Sequence, residues 1–345
     1  MDRNRKNEDN SPQYRQKRER NRFITAGEIQ GNIVGSMGKQ VDRKSVTRSH
    51  RVWTDILLRW QGSVIPAIAP RVLVCMAFSL GVSIVDWRGY EFSIPLQESI
   101  VPSIVLGLLL VFRTNTAYER FWEGRKAWGT LVNTIRNLSR GIWVSVATPT
   151  PESQGDKIKI LHLLVAFAVA TKLHLRSEPL NQEIWALLPE SGYRKLDKMN
   201  NPPLEIAFWI SNYLQQEYDR KNINAYQLTA MLRLVDSMVE MLGSCERILK
   251  TPIPLAYAIH LRQLIFLYCF ITPFQMVNTL HWATAFVVGI IAFTVFGIEE
   301  IGVEIENPFG HDANDLPLDQ ICQTMQANLD DLIQLPPWHQ VSHGD

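Results

Sequence analysis

The most apolar positions of the chain gather into two blocks, about residues 63–112 and 258–298, separated by a long stretch of mixed polarity. A single helix over the second block would be about 60 Å long at ~1.5 Å per residue. That is about twice the ~30 Å hydrocarbon core of a bilayer. Each block therefore predicts two membrane spans. In the first, Ser63–Trp87 and Phe92–Phe112 are separated by Asp86, Arg88, Gly89 and Glu91. In the second, the interruption falls near Pro273, Gln275, Asn278, Thr279 and His281. Arg71, near the start of the first span, reads as a snorkelling or interfacial charge.

Between the blocks, from Arg113 to Tyr257, good helix formers dominate and strand signals are few. Helical periodicity predicts helices over Ala117–Trp143, Lys157–Leu175, Pro203–Gln216 and Tyr226–Ile248. Leu161–Lys172 is apolar enough to raise a fifth span, but twelve residues are too few and Lys172 closes it. Val52, Trp53, Ile56, Leu57 and Trp60 suit an amphipathic helix at the membrane surface over residues 49–62. Residues 1–48 read as a disordered basic tail, and 299–345 as an acidic turn followed by a helical segment. The expected fold is an all-α membrane protein with four transmembrane helices and a helical cytosolic domain.

Composition sharpens this only where it is uneven. Mean hydropathy is −0.06, a value typical of soluble chains, because the charges cluster away from the apolar blocks. Of 35 Lys/Arg and 34 Asp/Glu, 13 and 6 lie up to Arg51. Such a tail reads first as a solubility device, and no nucleic-acid partner is expected. The tail has no apolar core of a secretory signal, and its acidic residues argue against a transit peptide. Arg113, Arg120, Arg125 and Lys126 follow the end of a span, so the positive-inside bias puts both termini in the cytoplasm. Cys75, Cys245, Cys269 and Cys322 are far apart and read as buried thiols rather than a metal or disulfide framework.

No catalytic constellation is present: the chain lacks H-E-x-x-H, G-x-S-x-G, a P-loop and a Rossmann glycine pattern. His162 and His174 read as core or interfacial histidines. The expectation is a protein that is not an enzyme. The informative stretch is VPSIVLGLLLVFRTNTAYERFWEGRKAWG, Val101–Gly129, where a membrane helix passes into polar sequence without a proline. Ile104, Leu108 and Phe112 share one helical face. On the residues alone this stripe reads first as a packing surface, since such stripes are general in membrane helices. Ringed around an axis, it would be a hydrophobic constriction that gates by dewetting.

FRTNTAYERFWEGRKAWG resembles the signature of the bestrophin family of ion channels, in its prokaryotic and plant-organelle branch. RWQGSV (Arg59–Val64), GSCERILKTPIPLAY (Gly243–Tyr257) and IENPFGHDANDLPL (Ile305–Leu318) agree in order and spacing. The resemblance implies a pentamer around one pore, with Ile104, Leu108 and Phe112 as its neck and Tyr226 at a cytosolic aperture. It also implies that Glu304, Asn307, Asp312 and Asp315 fall on the calcium-ligand positions of animal members. Here Ala313 and Asn314 thin the acidic run, and a solvated helix-capping turn is the competing reading. No cofactor is required; calcium is the one candidate. The implied function is a channel for chloride or related monovalent anions, in a bacterial inner membrane or a thylakoid-type membrane. The alternatives are a cation channel of the same family and a non-conducting membrane scaffold.

Overall fold

The computed structural model describes residues 62–89 and 100–334. The tail, the interfacial helix up to Gln61, the start of the second span and the last eleven positions lie outside the described residues. The described residues form ten helices. They are α1 (Ile65–Trp87), α2 (Ile100–Ser145), α3 (Pro151–Arg176), α4 (Gln182–Leu187), α5 (Glu190–Leu196), α6 (Pro202–Asp219), α7 (Ala225–Lys250), α8 (Leu255–Leu280), α9 (Ala283–Glu304) and α10 (Leu318–Gln334).

Two separate cores organise them. One unites α1, the upper part of α2, α8 and α9 through Ile68, Leu106, Leu110, Ile265, Val288 and Phe296. The other unites the lower part of α2 with α3, α6, α7 and α10 around Trp128, Leu138, Phe167, Ile210 and Met238. Only α2 belongs to both. Its 46 residues make a rod of about 69 Å at ~1.5 Å per residue. That exceeds the ~30 Å of a hydrocarbon core, so one helix serves both a lipid and an aqueous environment.

Four described helices are long and apolar enough to cross a bilayer, but they are α1, α3, α8 and α9 rather than the four expected. For α3, 72% of the apolar window is buried inside the protein, against 28%, 22% and 39% for the others. The length argument against a span here fails, because α3 has 26 residues. What settles α3 is its surroundings: protein already covers the surface that lipid would otherwise cover. The fourth membrane helix is the apolar start of α2, whose described part begins at Ile100.

The second hairpin also turns later than the polar residues suggest. Pro273, Gln275, Asn278 and Thr279 lie within α8, and the reversal is made at His281 and Trp282, with His281 at φ +48°. A proline removes one backbone donor but does not forbid a membrane helix whose neighbours repair the ladder. Beside it the Thr272 hydroxyl donates to the Tyr268 carbonyl at 2.6 Å. Arg71 is not a lone snorkelling charge: its guanidinium donates to Glu300 at 2.7 Å, tying α1 to α9.

α3 begins with a capping box in which Thr150 and Ser153 satisfy each other's backbone donors, and it ends at Ser177 in the left-handed region. Its buried charges are all engaged. Lys157 donates to the Val146 carbonyl at 2.8 Å. Lys172, fully buried, donates to Glu183 at 2.6 Å and Asp319 at 2.7 Å. Burial alone would lower the Lys172 pKa, but the two carboxylates outweigh it and the net shift is upward. All four cysteines are buried.

Candidate functional site: the neck helix and its base

The upper part of α2 has two unlike faces. Leu106 and Leu110 are buried against α1, α8 and α9. Ile104, Leu108 and Phe112 point away from this core and are 63%, 53% and 56% exposed. The sequence-derived stripe thus lies together on one open face. Around it α2 is braced by hydroxyls: Ser103 bonds Tyr268 at 3.2 Å, and Tyr257 donates to the Leu109 carbonyl at 2.7 Å.

Immediately below Phe112 the chain carries a buried arginine. Arg113 is 3% exposed and donates to Glu306 at 2.6 Å. The other oxygen of Glu306 accepts the Ile253 amide at 3.0 Å. Arg120, two turns lower, donates to the Glu306 backbone carbonyl at 3.1 Å, to that of Ile248 at 2.6 Å and to that of Thr251. One carboxylate and two arginines thus fasten α2, the α7–α8 connection and the end of α9 at a single point. A second set lies higher, where Arg262 donates to buried Glu299 at 2.8 Å. The sequence reasoning missed Glu306. A signal was available: an arginine at the edge of a membrane helix needs a carboxylate partner, and Glu306 stands inside the IENPFG motif.

Tyr226 is apart from the stripe of Ile104, Leu108 and Phe112. It sits in the first turn of α7, 89% exposed, behind a capping box in which Asn224 and Gln227 bond each other's backbone. Asn224 supplies the cap that an N-terminus needs, leaving Tyr226 free to project.

The four candidate calcium ligands share one turn. Glu304 ends α9, and Asn307, Asp312 and Asp315 follow it. They are largely committed to the turn itself. Asn314 donates to Glu304 at 2.6 Å, the Phe309 amide to Asn307 at 3.3 Å, and the Asp312 amide to Asp315 Oδ2 at 2.8 Å. Asp315 Oδ1 is buried with no hydrogen-bond partner among the described residues. Burial raises the Asp315 pKa, more than the Asp312 amide lowers it. Among the described residues no group of three His, Cys, Asp or Glu side chains is disposed to hold a metal. The turn is pressed onto α2 at Gly124, where a Cβ would lie 2.9 Å from Pro308 and 3.0 Å from Phe309.

These features define a polytopic all-α membrane protein in which one helix, α2, runs unbroken from the membrane core into a water-side helical domain. The chain belongs to the bestrophin family: the family described as Bacterial/Fungal Bestrophin protein matches residues 44–331. It is 89% identical over 299 residues to a voltage-dependent anion channel-forming protein of Synechocystis sp., covering 87% of this chain and 97% of that one. It is 59% identical to a protein of the same description from Nostoc sp., covering 85% and 95%. Among solved structures, a bacterial bestrophin homologue from Klebsiella pneumoniae superposes with a TM-score of 0.72. Their identity is 30%, with 78% of this chain and 100% of that one covered.

Proposed function

We propose that the protein is a homopentameric channel that conducts chloride or related monovalent anions through a neck built from Ile104, Leu108 and Phe112. The observation that carries this reading is the open apolar face of α2, unbroken where the helix leaves the membrane core. Among the described residues of one subunit that face stands open; around an axis it becomes stacked apolar rings that control hydration of a passing ion. The edge of the Phe112 ring carries partial positive charge and suits an anion. The names carried by the Synechocystis and Nostoc relatives point the same way. Tyr226 forms the lower aperture. The membrane is a bacterial plasma membrane or a thylakoid-type membrane, with both chain ends on the cytoplasmic side.

The test is the reversal potential of the purified protein in a planar bilayer under a potassium chloride gradient. A value near the chloride equilibrium potential is expected. A value near that of potassium would make it a cation channel of the same family. No current, with no five-fold species in native mass spectrometry, would leave a membrane scaffold. Ile104, Leu108 and Phe112 to Ala should each raise conductance or open probability.

We also propose that the acidic turn takes calcium through Glu304, Asn307, Asp312 and Asp315. The buried, unpartnered Asp315 Oδ1 supports this, since a hard cation seeks about six to eight oxygen ligands. Calcium should raise the melting temperature of the parent protein and not that of Asp315→Asn. Equal shifts in both would remove the site.

A further inference from the structure

The stripe that carries the neck does not stop at Phe112. Followed down α2 in steps of three, four or seven residues, it passes Glu119, Trp122, Lys126, Asn133 and Arg140 and reaches Val144, and each of these is exposed. The opposite face, from Leu106 through Trp128 to Ile142, is buried. The lower end of the rod is fixed as well. The Ala147 amide donates to the Asn222 carbonyl at 3.3 Å, just before the turn that presents Tyr226. One unbroken helix therefore carries the neck at its top and ends close to the aperture residue at its bottom. Between them runs a single open face.

The exposed charges of α2 are not all alike. Glu123, at the edge of the stripe, is bonded to Arg247 at 2.7 Å. Glu119, Lys126 and Arg140 make no ion pair among the described residues, and neither do Arg125 and Arg136, which are exposed beside the stripe. The Lys126 ammonium instead lies 5.7 Å from the centre of the Trp122 ring. That cation–π contact steadies the side chain without neutralising it.

We propose that the lower stripe walls the conduit below the neck, and that Lys126, steadied by Trp122, acts with Arg140 to concentrate small monovalent anions there. The inference rests on the pentameric channel reading. Repeated around the axis, each residue becomes a ring of like charge facing a water-filled space with protein walls. Such walls focus field lines and raise the local concentration of the counter-ion. Glu119 does not cancel the effect. It stands about 10 Å above Lys126 at ~1.5 Å per residue, beyond the ~8 Å screening length of physiological salt. Lys126 and Arg140 thus set the anion preference of the lower conduit, while the neck sets its hydration barrier.

The experiment compares Lys126→Glu, Lys126→Arg, Arg140→Glu and Leu108→Ala channels in planar bilayers under a potassium chloride gradient. Native mass spectrometry first confirms that each variant assembles like the parent. Charge reversal at either position should lower the chloride-to-potassium permeability ratio by about threefold or more. It should also reduce conductance for anions entering from the cytoplasmic side, most strongly at low salt. Lys126→Arg should keep the parent ratio. Parent-like ratios in both reversals, with Leu108→Ala altered, would overturn this proposal and leave the channel reading standing. If Leu108→Ala conducts like the parent too, the stripe does not face the pore and this proposal falls with the neck assignment; the channel reading itself falls only if the parent passes no current.

Discussion

Helices α3 and α9 have nearly the same hydropathy over a span-length window, 1.6 and 2.0, yet they have different solvents. α9 keeps one open stripe, with Phe286, Ile290 and Phe293 exposed, and buries the other through Val288, Ala292 and Phe296. α3 is covered on every side from Leu161 to Leu173, apart from two half-covered positions. The difference teaches that apolarity along a helix says how much water it avoids, not whether lipid or protein does the excluding. The buried lysines of α3 tell the two apart: Lys157 and Lys172 find partners at fixed positions, which only a packed protein provides.

The comparison breaks most sharply at its centre. Leu164→Lys in α3 should cost more than about 4 kcal/mol, since it buries an unpaired charge. Ile290→Ser on the open stripe of α9 should leave the detergent-solubilised assembly intact. Size-exclusion profiles and melting temperatures read both. Asp319→Ala leaves Lys172 with one carboxylate and takes a hydrogen bond from Arg176; a cost of about 1.5–3 kcal/mol is expected for a charged hydrogen bond, read as a lower melting temperature. Lys172→Met should cost far less than Asp319→Ala, because the acids it frees are half exposed and a buried ion pair is often replaceable by apolar packing.

Gly124→Ala tests the contact of the acidic turn with α2, where Pro308 and Phe309 leave no room for a methyl group. About 1–2 kcal/mol is expected, the lower part of the overpacking range. The smallest effect concerns pH. Lys172 holds its Asp319 partner below the ordinary carboxylate range, and Lys172 itself is raised. A depressed carboxylate contributes stability above its unfolded pKa and loses it only as pH falls through the folded value. A raised lysine contributes below its unfolded pKa and loses it as pH rises through the folded value. Melting temperature should therefore be nearly flat between about pH 5 and 9 as far as this network is concerned, and fall below about pH 4.

Much of the architecture was legible in the sequence. Two of the four amphipathic patterns match α6 and α7 within three residues, and a third falls inside α3, which begins six residues earlier at Pro151. The fourth, Ala117–Trp143, is the lower part of α2, and Ile104, Leu108 and Phe112 lie on one face of that helix. Two boundaries were not legible for one reason: in a membrane helix, Pro273 and its polar neighbours are tolerated by local repair, so they do not announce a turn as they would in water. Glu306 was missed because a carboxylate reads as calcium ligand, cap or ion-pair partner until the fold brings it to Arg113. In α3 itself only Lys172 spoke against lipid, since the length of the helix would allow a span; the cover comes from α2, α4, α6 and α10.

The pairing of Arg113 with Glu306 also fixes an order of events as the chain is made. The arginine leaves the ribosome with α2, long before its carboxylate, which follows α9. Until then a guanidinium at the membrane boundary has no permanent partner, and the α7–α8 connection has no anchor for the Ile253 amide. The clasp below Phe112 therefore closes only after α9 has been made, and α10, which carries Asp319 to Lys172, follows it. A chain cut short of Glu306 would hold Ile104, Leu108 and Phe112 and still lack the clasp that closes beneath them.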